Sequence, residues 1–233
     1  MTMIARGALT RRGMLASGAA LGVAGCSGLI GPPPAPQLYV LHPDFRPIAD
    51  APNVPWQLTV AVPVTPESLD TGRIALMRAP NVMDYYANSA WTDSVPQLVQ
   101  SLLVEAFQKS GRIAAVGRDG QGIRGDYILQ TEIRDFDAYY AVADTPPKAR
   151  VSFTVSLVGA LQREVISTLQ VQQEAQAGAN NLPSITAAFT QAAGAAITEI
   201  VAWTLKTPVP VGAQTAAVSA PAAPPPRRHH GKR

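Results

Sequence analysis

Val151-Ser152-Phe153-Thr154-Val155-Ser156-Leu157 alternates apolar and hydroxyl residues without a break, and after Gln162-Arg163 a second run carries Val165, Leu169 and Val171 on one side. A period of two places Val151, Phe153, Val155 and Leu157 on one face of a strand, and a short polar break makes the two runs an antiparallel hairpin. One side is apolar, so something apolar must cover it. The next segment supplies the cover: Ile185, Ala188, Phe189, Ala192, Ala196, Ile197, Ile200 and Val201 recur at three- and four-residue steps, the stripe of a helix. Its many alanines permit close approach to a sheet. Ser184 is its expected N-cap and Thr207-Pro208 its stop.

Reading upstream from the hairpin, Tyr127 to Ile133 alternates through Leu129 and Thr131, and Phe136 falls out of phase, which predicts a bulge near Arg134-Asp135. Ile113 to Val116 reads as a strand. Before it, Val95, Leu98, Val99, Leu102, Leu103, Ala106 and Phe107 form a second helical stripe, capped by Asp93 or Ser94, with Pro96 in its first turn and Gly111 as its C-cap. Leu38 to Leu41, Gln57 to Val62, Arg73 to Met77 and Met83 to Asn88 are further strands, the last two joined through Arg78-Ala79-Pro80-Asn81-Val82. Strands grouped around two helices predict an α+β, mixed α/β fold: a two-layer sandwich of a mostly antiparallel sheet with two main helices.

The ends of the chain have different chemistry. Arg6, Arg11 and Arg12 precede a modestly apolar stretch from Gly13 to Val23, and Ala24-Gly25-Cys26 follows. This is the basic, apolar and small-residue layout of a secretory signal over residues 1–25. The stretch is shorter than the about 20 apolar residues that span a bilayer. Cys26 is the single cysteine of the 233 residues, so no internal disulfide is available. Val23-Ala24-Gly25-Cys26 resembles a lipobox, which makes Cys26 the site of S-diacylglyceryl and N-acyl attachment. One acyl chain, at about 0.8 kcal/mol per buried methylene, holds a protein only marginally; two or three anchor it. Thr10-Arg11-Arg12-Gly13-Met14-Leu15 resembles a twin-arginine export signal, although paired arginines also occur in ordinary signals. Residues 26–37 continue through Pro32, Pro33, Pro34 and Pro36, a spacer favouring extended polyproline at about 3.1 Å per residue. Residues 208–233 are rich in Ala and Pro and end Arg227-Arg228-His229-His230-Gly231-Lys232-Arg233, a composition expected to stay disordered. One domain, 38–207, lies between.

The net charge of +3 does not mark a nucleic-acid binder. Three positive charges lie in the signal and four in the tail, neither with an acid, which leaves −4 for the body between Cys26 and Ala220.

Gly120-Gln121-Gly122-Ile123-Arg124-Gly125 fits G-x-G-x-x-G, but a dinucleotide site needs a helix to begin there. Asp126-Tyr127-Ile128-Leu129 begins a strand instead, so the segment reads as a glycine-rich loop and no cofactor is expected. His42, His229 and His230 lack metal-ligand spacing. No G-x-S-x-G elbow occurs. Asp135 and Asp137 share a strand face two residues apart, a spacing that could serve acid–base chemistry, and a solvent-facing pair beside the bulge is the plainer reading. Tyr85, Tyr86, Trp91, Tyr139 and Tyr140 combine apolar area with a polar edge, which suits either an interface or the core. Neither catalytic nor metal-binding residues are assigned.

An ordered series of segments remains: the lipobox, Tyr39-Val40-Leu41, Leu58-Thr59-Val60-Ala61-Val62-Pro63, Ser68-Leu69-Asp70-Thr71, Arg73-Ile74-Ala75, Ala90-Trp91-Thr92-Asp93, Ile133-Arg134-Asp135-Phe136, Ala187-Ala188-Phe189 and Ile200-Val201-Ala202-Trp203-Thr204. Together these resemble the ABC-type transport auxiliary lipoprotein family, which includes the paraquat-inducible intermembrane transport lipoprotein, over about Tyr39 to Leu205. The resemblance implies a non-enzymatic subunit of an MCE-type lipid transport system. It would be anchored in the outer membrane through Cys26, face the periplasm, and dock onto an MCE-domain protein that works with ABC transporter subunits. Homo-oligomers are compatible with such a role. Ser27 after the cysteine, in place of Asp, accords with outer-membrane sorting in enteric bacteria. Recognition would use an exposed sheet edge and aromatic surface. The other reading is a stand-alone periplasmic lipid- or ligand-binding lipoprotein.

Overall fold

The computed structural model describes residues 35–209, apart from 46, 47, 79, 80, 121 and 123. The expected signal over residues 1–25, Cys26, Pro32 to Pro34 and the tail from 210 lie outside the described residues. Contacts divide the chain after Ala35, and every described strand and helix belongs to the unit that begins at Pro36.

Eight strands and two helices succeed one another: β1 (Gln37–Tyr39), β2 (Val54–Val60), β3 (Arg73–Arg78), β4 (Val82–Trp91), α1 (Val95–Ser110), β5 (Ile113–Arg118), β6 (Tyr127–Tyr140), β7 (Lys148–Gly159), β8 (Val165–Gln176) and α2 (Leu182–Lys206). The expected late hairpin is β7–β8, in continuous antiparallel register from Lys148 opposite Gln176 to Leu157 opposite Ser167.

The α+β class holds, but the sheet is mixed, which corrects the mostly antiparallel expectation. β1·β4, β2·β5, β2·β6 and β3·β6 are parallel; β3·β4, β6·β7 and β7·β8 are antiparallel. The reason lies in β6. At 14 residues it outruns any one neighbour. One of its edges pairs with β7 throughout, while the other takes β2 at Tyr127–Leu129, Val64 at Glu132 and β3 at Ala138–Tyr140. Two small parallel-joined groups, β2–β5 and β3–β4–β1, therefore share one long strand.

β2 lies between β5 and β6. The last β5 pair is Arg118 with Val60 and the first β6 pair is Tyr127 with Leu58, so the chain steps back only two residues along β2. A connection over residues 119–126 suffices where parallel strands ordinarily need about a dozen residues or more. Glycine makes the turn possible: Gly120 and Gly122 both have φ +80°. Gly125 passes so close to β2 that an added Cβ would stand 2.6 Å from the backbone N of Thr59.

α1 packs on β5 and β2, α2 on β7 and β8, and the helices touch each other. Leu58, Leu103, Phe107, Ile133, Phe153, Phe189 and Ile197 meet in one core at 1% exposure or less. Each such side chain contributes about 1.5–3 kcal/mol by leaving water. Gly111 closes α1 in the left-handed conformation as expected. The start of α2 is corrected: Asn181, not Ser184, is the N-cap, and its side chain accepts from the Ser184 backbone N–H at 2.9 Å. Thr207 ends it. α2 is long and apolar enough to cross a membrane, with mean hydropathy 1.3, yet half of that window is buried inside the fold.

Candidate functional site

The bulge anticipated near Arg134-Asp135 is present, as the β6–β7 register slips between Ile133 and Asp135. It decides which residues share a face. Before it, odd-numbered residues of β6 point toward the helices; after it, even-numbered ones do, so Phe136 and Ala138 re-enter the core. Toward the helices the three strands form rows such as Thr131–Val155–Leu169 and Ile133–Phe153–Val171. On the other face run Gln130–Ser156–Thr168, Glu132–Thr154–Gln170, Asp135–Ser152–Gln172, Asp137–Arg150–Glu174 and Tyr139–Lys148–Gln176. Neither helix covers these rows, whose side chains are mostly polar; at the start of β6 the same face carries the apolar pair Ile128–Val158, with Val158 buried.

Asp137 overturns the solvent-facing reading of its pair with Asp135. It is 1% exposed, although it points away from the helices. Arg150, directly across the ladder, lies over it with one terminal nitrogen 3.1 and 3.3 Å from the two carboxylate oxygens. The same nitrogen stands 3.3 Å from Asp135, and the guanidinium sits 5.0 Å above the Tyr139 ring. β3 closes the other side where Leu76 meets Ala138. Burial raises the Asp137 carboxyl above its ordinary range, more than Arg150 pulls it back. Burial also penalises the Arg150 cation, but Asp137, Asp135 and Glu174 together hold it above its usual value. Both oxygens of Asp137 face a permanent cation and none faces an open cleft, so the pair is a clamp between strands and lacks the access a general base needs.

Of the aromatic residues singled out in the sequence, Trp91 is internal and Tyr85, Tyr86, Tyr139 and Tyr140 are half-buried. Trp91 is 2% exposed and sits edge-on to Phe136 and Phe189, with centroids 6.1 and 5.3 Å away. Tyr85 lies under Arg73 and donates to the Ser68 carbonyl at 2.8 Å. The Tyr86 and Tyr140 hydroxyls bond each other at 2.8 Å, and Tyr140 donates to Asn180 at 2.7 Å. Burial raises the Tyr86 phenol strongly, so it stays a neutral donor. The chain Tyr86–Tyr140–Asn180 thus ties β4 and β6 to the cap of α2.

The glycine-rich segment lies between β5 and β6, as expected. His42 is exposed, and no cluster of metal-ligating side chains occurs among the described residues. An open groove of about 450 Å³ runs between Pro43-Asp44 and α2, lined by Ala187, Thr190, Gln191 and Gly194. Pro43 fits there because Gly194 has no side chain; an added Cβ would meet the Pro43 Cβ at 2.9 Å. This groove and the sheet edge along β8 escape a sequence reading as particular places, because each depends on contacts between distant segments.

The model of the ABC-type transport auxiliary lipoprotein component matches residues 39–201. The chain belongs to this family. The match spans those of the ordered segments that lie between Tyr39 and Val201; the lipobox lies outside it. The auxiliary lipoprotein is similar in structure to a Xanthomonas campestris protein of a family of unknown function, with 28% identity and TM-score 0.70 over 78% of this chain and 99% of that one. It also shares its fold with an uncharacterized protein at 14% identity and TM-score 0.56, over 72% of this chain and 97% of that one. No curated protein matches in sequence. An auxiliary transport lipoprotein is a component of the bacterial envelope, and no enzymatic family is indicated.

Proposed function

We propose that this auxiliary lipoprotein is the adaptor of an MCE-type ABC lipid transport system. In this reading residues 1–25 are removed, Cys26 carries the lipid, residues 26–37 are the spacer, and 38–207 is the domain held at the periplasmic face of the outer membrane. Its partners are an MCE-domain protein, the ABC transporter subunits and further copies of itself. The observation that carries the reading is the family match over residues 39–201. The packing supports it: Phe107, Phe136, Phe153 and Phe189 are buried in one core between helices and sheet, the packing of an ordinary protein interior. A domain that is filled inside and bare on one sheet face suits holding a protein partner better than carrying lipid.

The test is recovery of the tagged full chain from membranes after mild crosslinking, with mass spectrometry of proteins and lipids. MCE and ABC subunits should come with it; bound lipid and no protein partner would establish the stand-alone carrier instead. The anchor has a separate test. A fatty-acid probe should label the wild type and not Cys26→Ser, which should leave the membrane fraction.

A further inference from the structure

We infer that β8 is the edge through which two copies of this chain associate, strand against strand and antiparallel about Gln170, so that two sheets become one. The inference names the surface for the self-association within the reading above and rests on that part of it, not on the identity of the transporter.

β8 pairs with β7 on one side, and no described strand pairs with its other side. Its 12 residues are about twice the usual strand length of five or six. Long free edges are normally protected by Pro, Lys, bulges or extreme shortness, because unpaired N–H and C=O groups invite another strand. The end strand β1 has such protection, being three residues long and preceded by Pro36. β8 has neither Pro nor Lys; Glu174 is its only charge, and its one register slip lies at its start, opposite Leu157 and Val158. Water aside, donors and acceptors at strand spacing are matched along their length by another extended backbone.

The side chains say which backbone. Directly opposed residues of an antiparallel pair share a face. β8 presents Thr168, Gln170 and Gln172 on the bare face and Ser167, Leu169, Val171 and Gln173 toward α2. Pairing about Gln170 sets Gln170 against itself, Thr168 against the second copy's Gln172, and Leu169 against the second copy's Val171. From 167 to 173 each pair joins polar with polar or apolar with apolar, and each pair except the central Gln170 pair occurs twice. The one charge, Glu174, meets Ile166 of the second copy, so no like charges oppose. Half-buried Leu169 gains the apolar neighbour it lacks at the edge.

The experiment uses the full-length chain carrying Cys26→Ser, so that any introduced thiol is the only one. Light scattering should give a dimer or a multiple of it. Gln170→Lys should weaken association at least about tenfold with unchanged circular dichroism, because two lysines then oppose each other. Gln170→Cys should form a covalent dimer under mild oxidation far faster than Leu161→Cys, a similarly free site at the hairpin tip. A monomeric parent chain overturns both self-association and the edge. An oligomeric parent whose Gln170→Cys variant crosslinks no faster than Leu161→Cys overturns the edge alone, whatever the fate of the lysine variant.

Discussion

The two faces of the β6–β7–β8 sheet share one backbone and differ in everything else. Toward α2, Ile133, Phe153 and Val171 form a row that is almost wholly buried. One residue along, Glu132, Thr154 and Gln170 form a row that no helix covers. Alternation alone separates these two rows. The exception in the row Asp137–Arg150–Glu174 is Asp137, which lies on the bare face but is closed over by Arg150 while Glu174 stays exposed. The burial of Asp137 comes from side-chain cover and the approach of β3, and teaches that the far end of the sheet is braced by charge where the middle is braced by a helix.

Truncations on opposite faces should separate most widely. Phe153→Ala should cost about 3–5 kcal/mol, since a buried ring is replaced by a cavity, whereas Thr154→Ala should stay within about 0.5 kcal/mol. Urea denaturation of both variants checks this, and similar losses would mean that the bare face is covered in solution.

Removing Asp137 alone should cost about 3 kcal/mol, because Arg150 is left with only the more exposed Asp135 and Glu174 in a largely closed site. Replacing both, Asp137→Leu with Arg150→Met, should recover most of that loss. A double variant as unstable as the single one would show that the clamp itself, not the stranded cation, stabilises the sheet.

The same site has a pH signature. Burial raises the folded-state pKa of Asp137, with Arg150, Asp135, Glu174, Tyr139 and Lys148 around it. The folded chain therefore takes up this proton at higher pH than the unfolded chain does. The ionised site is least favourable near neutrality and is relieved as pH falls through its raised value toward the ordinary carboxylate range. Between about pH 7 and about pH 4, wild-type stability should rise relative to Asp137→Asn. The opposite slope in paired urea melts would mean that Arg150 outweighs burial.

Smallest of all should be Thr168→Val. Its hydroxyl shares a 3.0 Å hydrogen bond with Ser156 on the exposed face, and exchange of that bond with water leaves a change of about 0.5 kcal/mol or less in the melting experiment.

Much of this arrangement is legible in residue order. The hairpin, both helix stripes, the Gly111 cap and even the bulge before Phe136 show as periodicity or its interruption, since each is local. Asn181 is hidden as a cap because Ser184 also fits the pattern, and only the backbone at Asn181 (φ −144°, ψ 154°) distinguishes them. Trp91 could be surface or core by composition; Phe136 and Phe189, from segments far along the chain, make it core. Parallel pairing is not legible either, because no local signal tells β2, Val64 and β3 to divide one edge of β6 between them. Of the candidate sites, Cys26 is proposed from sequence alone, because a resemblance to a lipobox is carried by a short linear string. The β8 edge does not, because an edge is defined by the strand that fails to arrive.

Periodicity settles which residues turn inward, for a side chain's direction follows from its place in a repeat of two or of about 3.6, and the ordered segments between Tyr39 and Val201 settle the family. Which strands become neighbours, which carboxylate is closed off and which edge stays open are settled only when segments tens of residues apart meet. Those outcomes depend on the energy of contacts that no stretch of chain contains by itself.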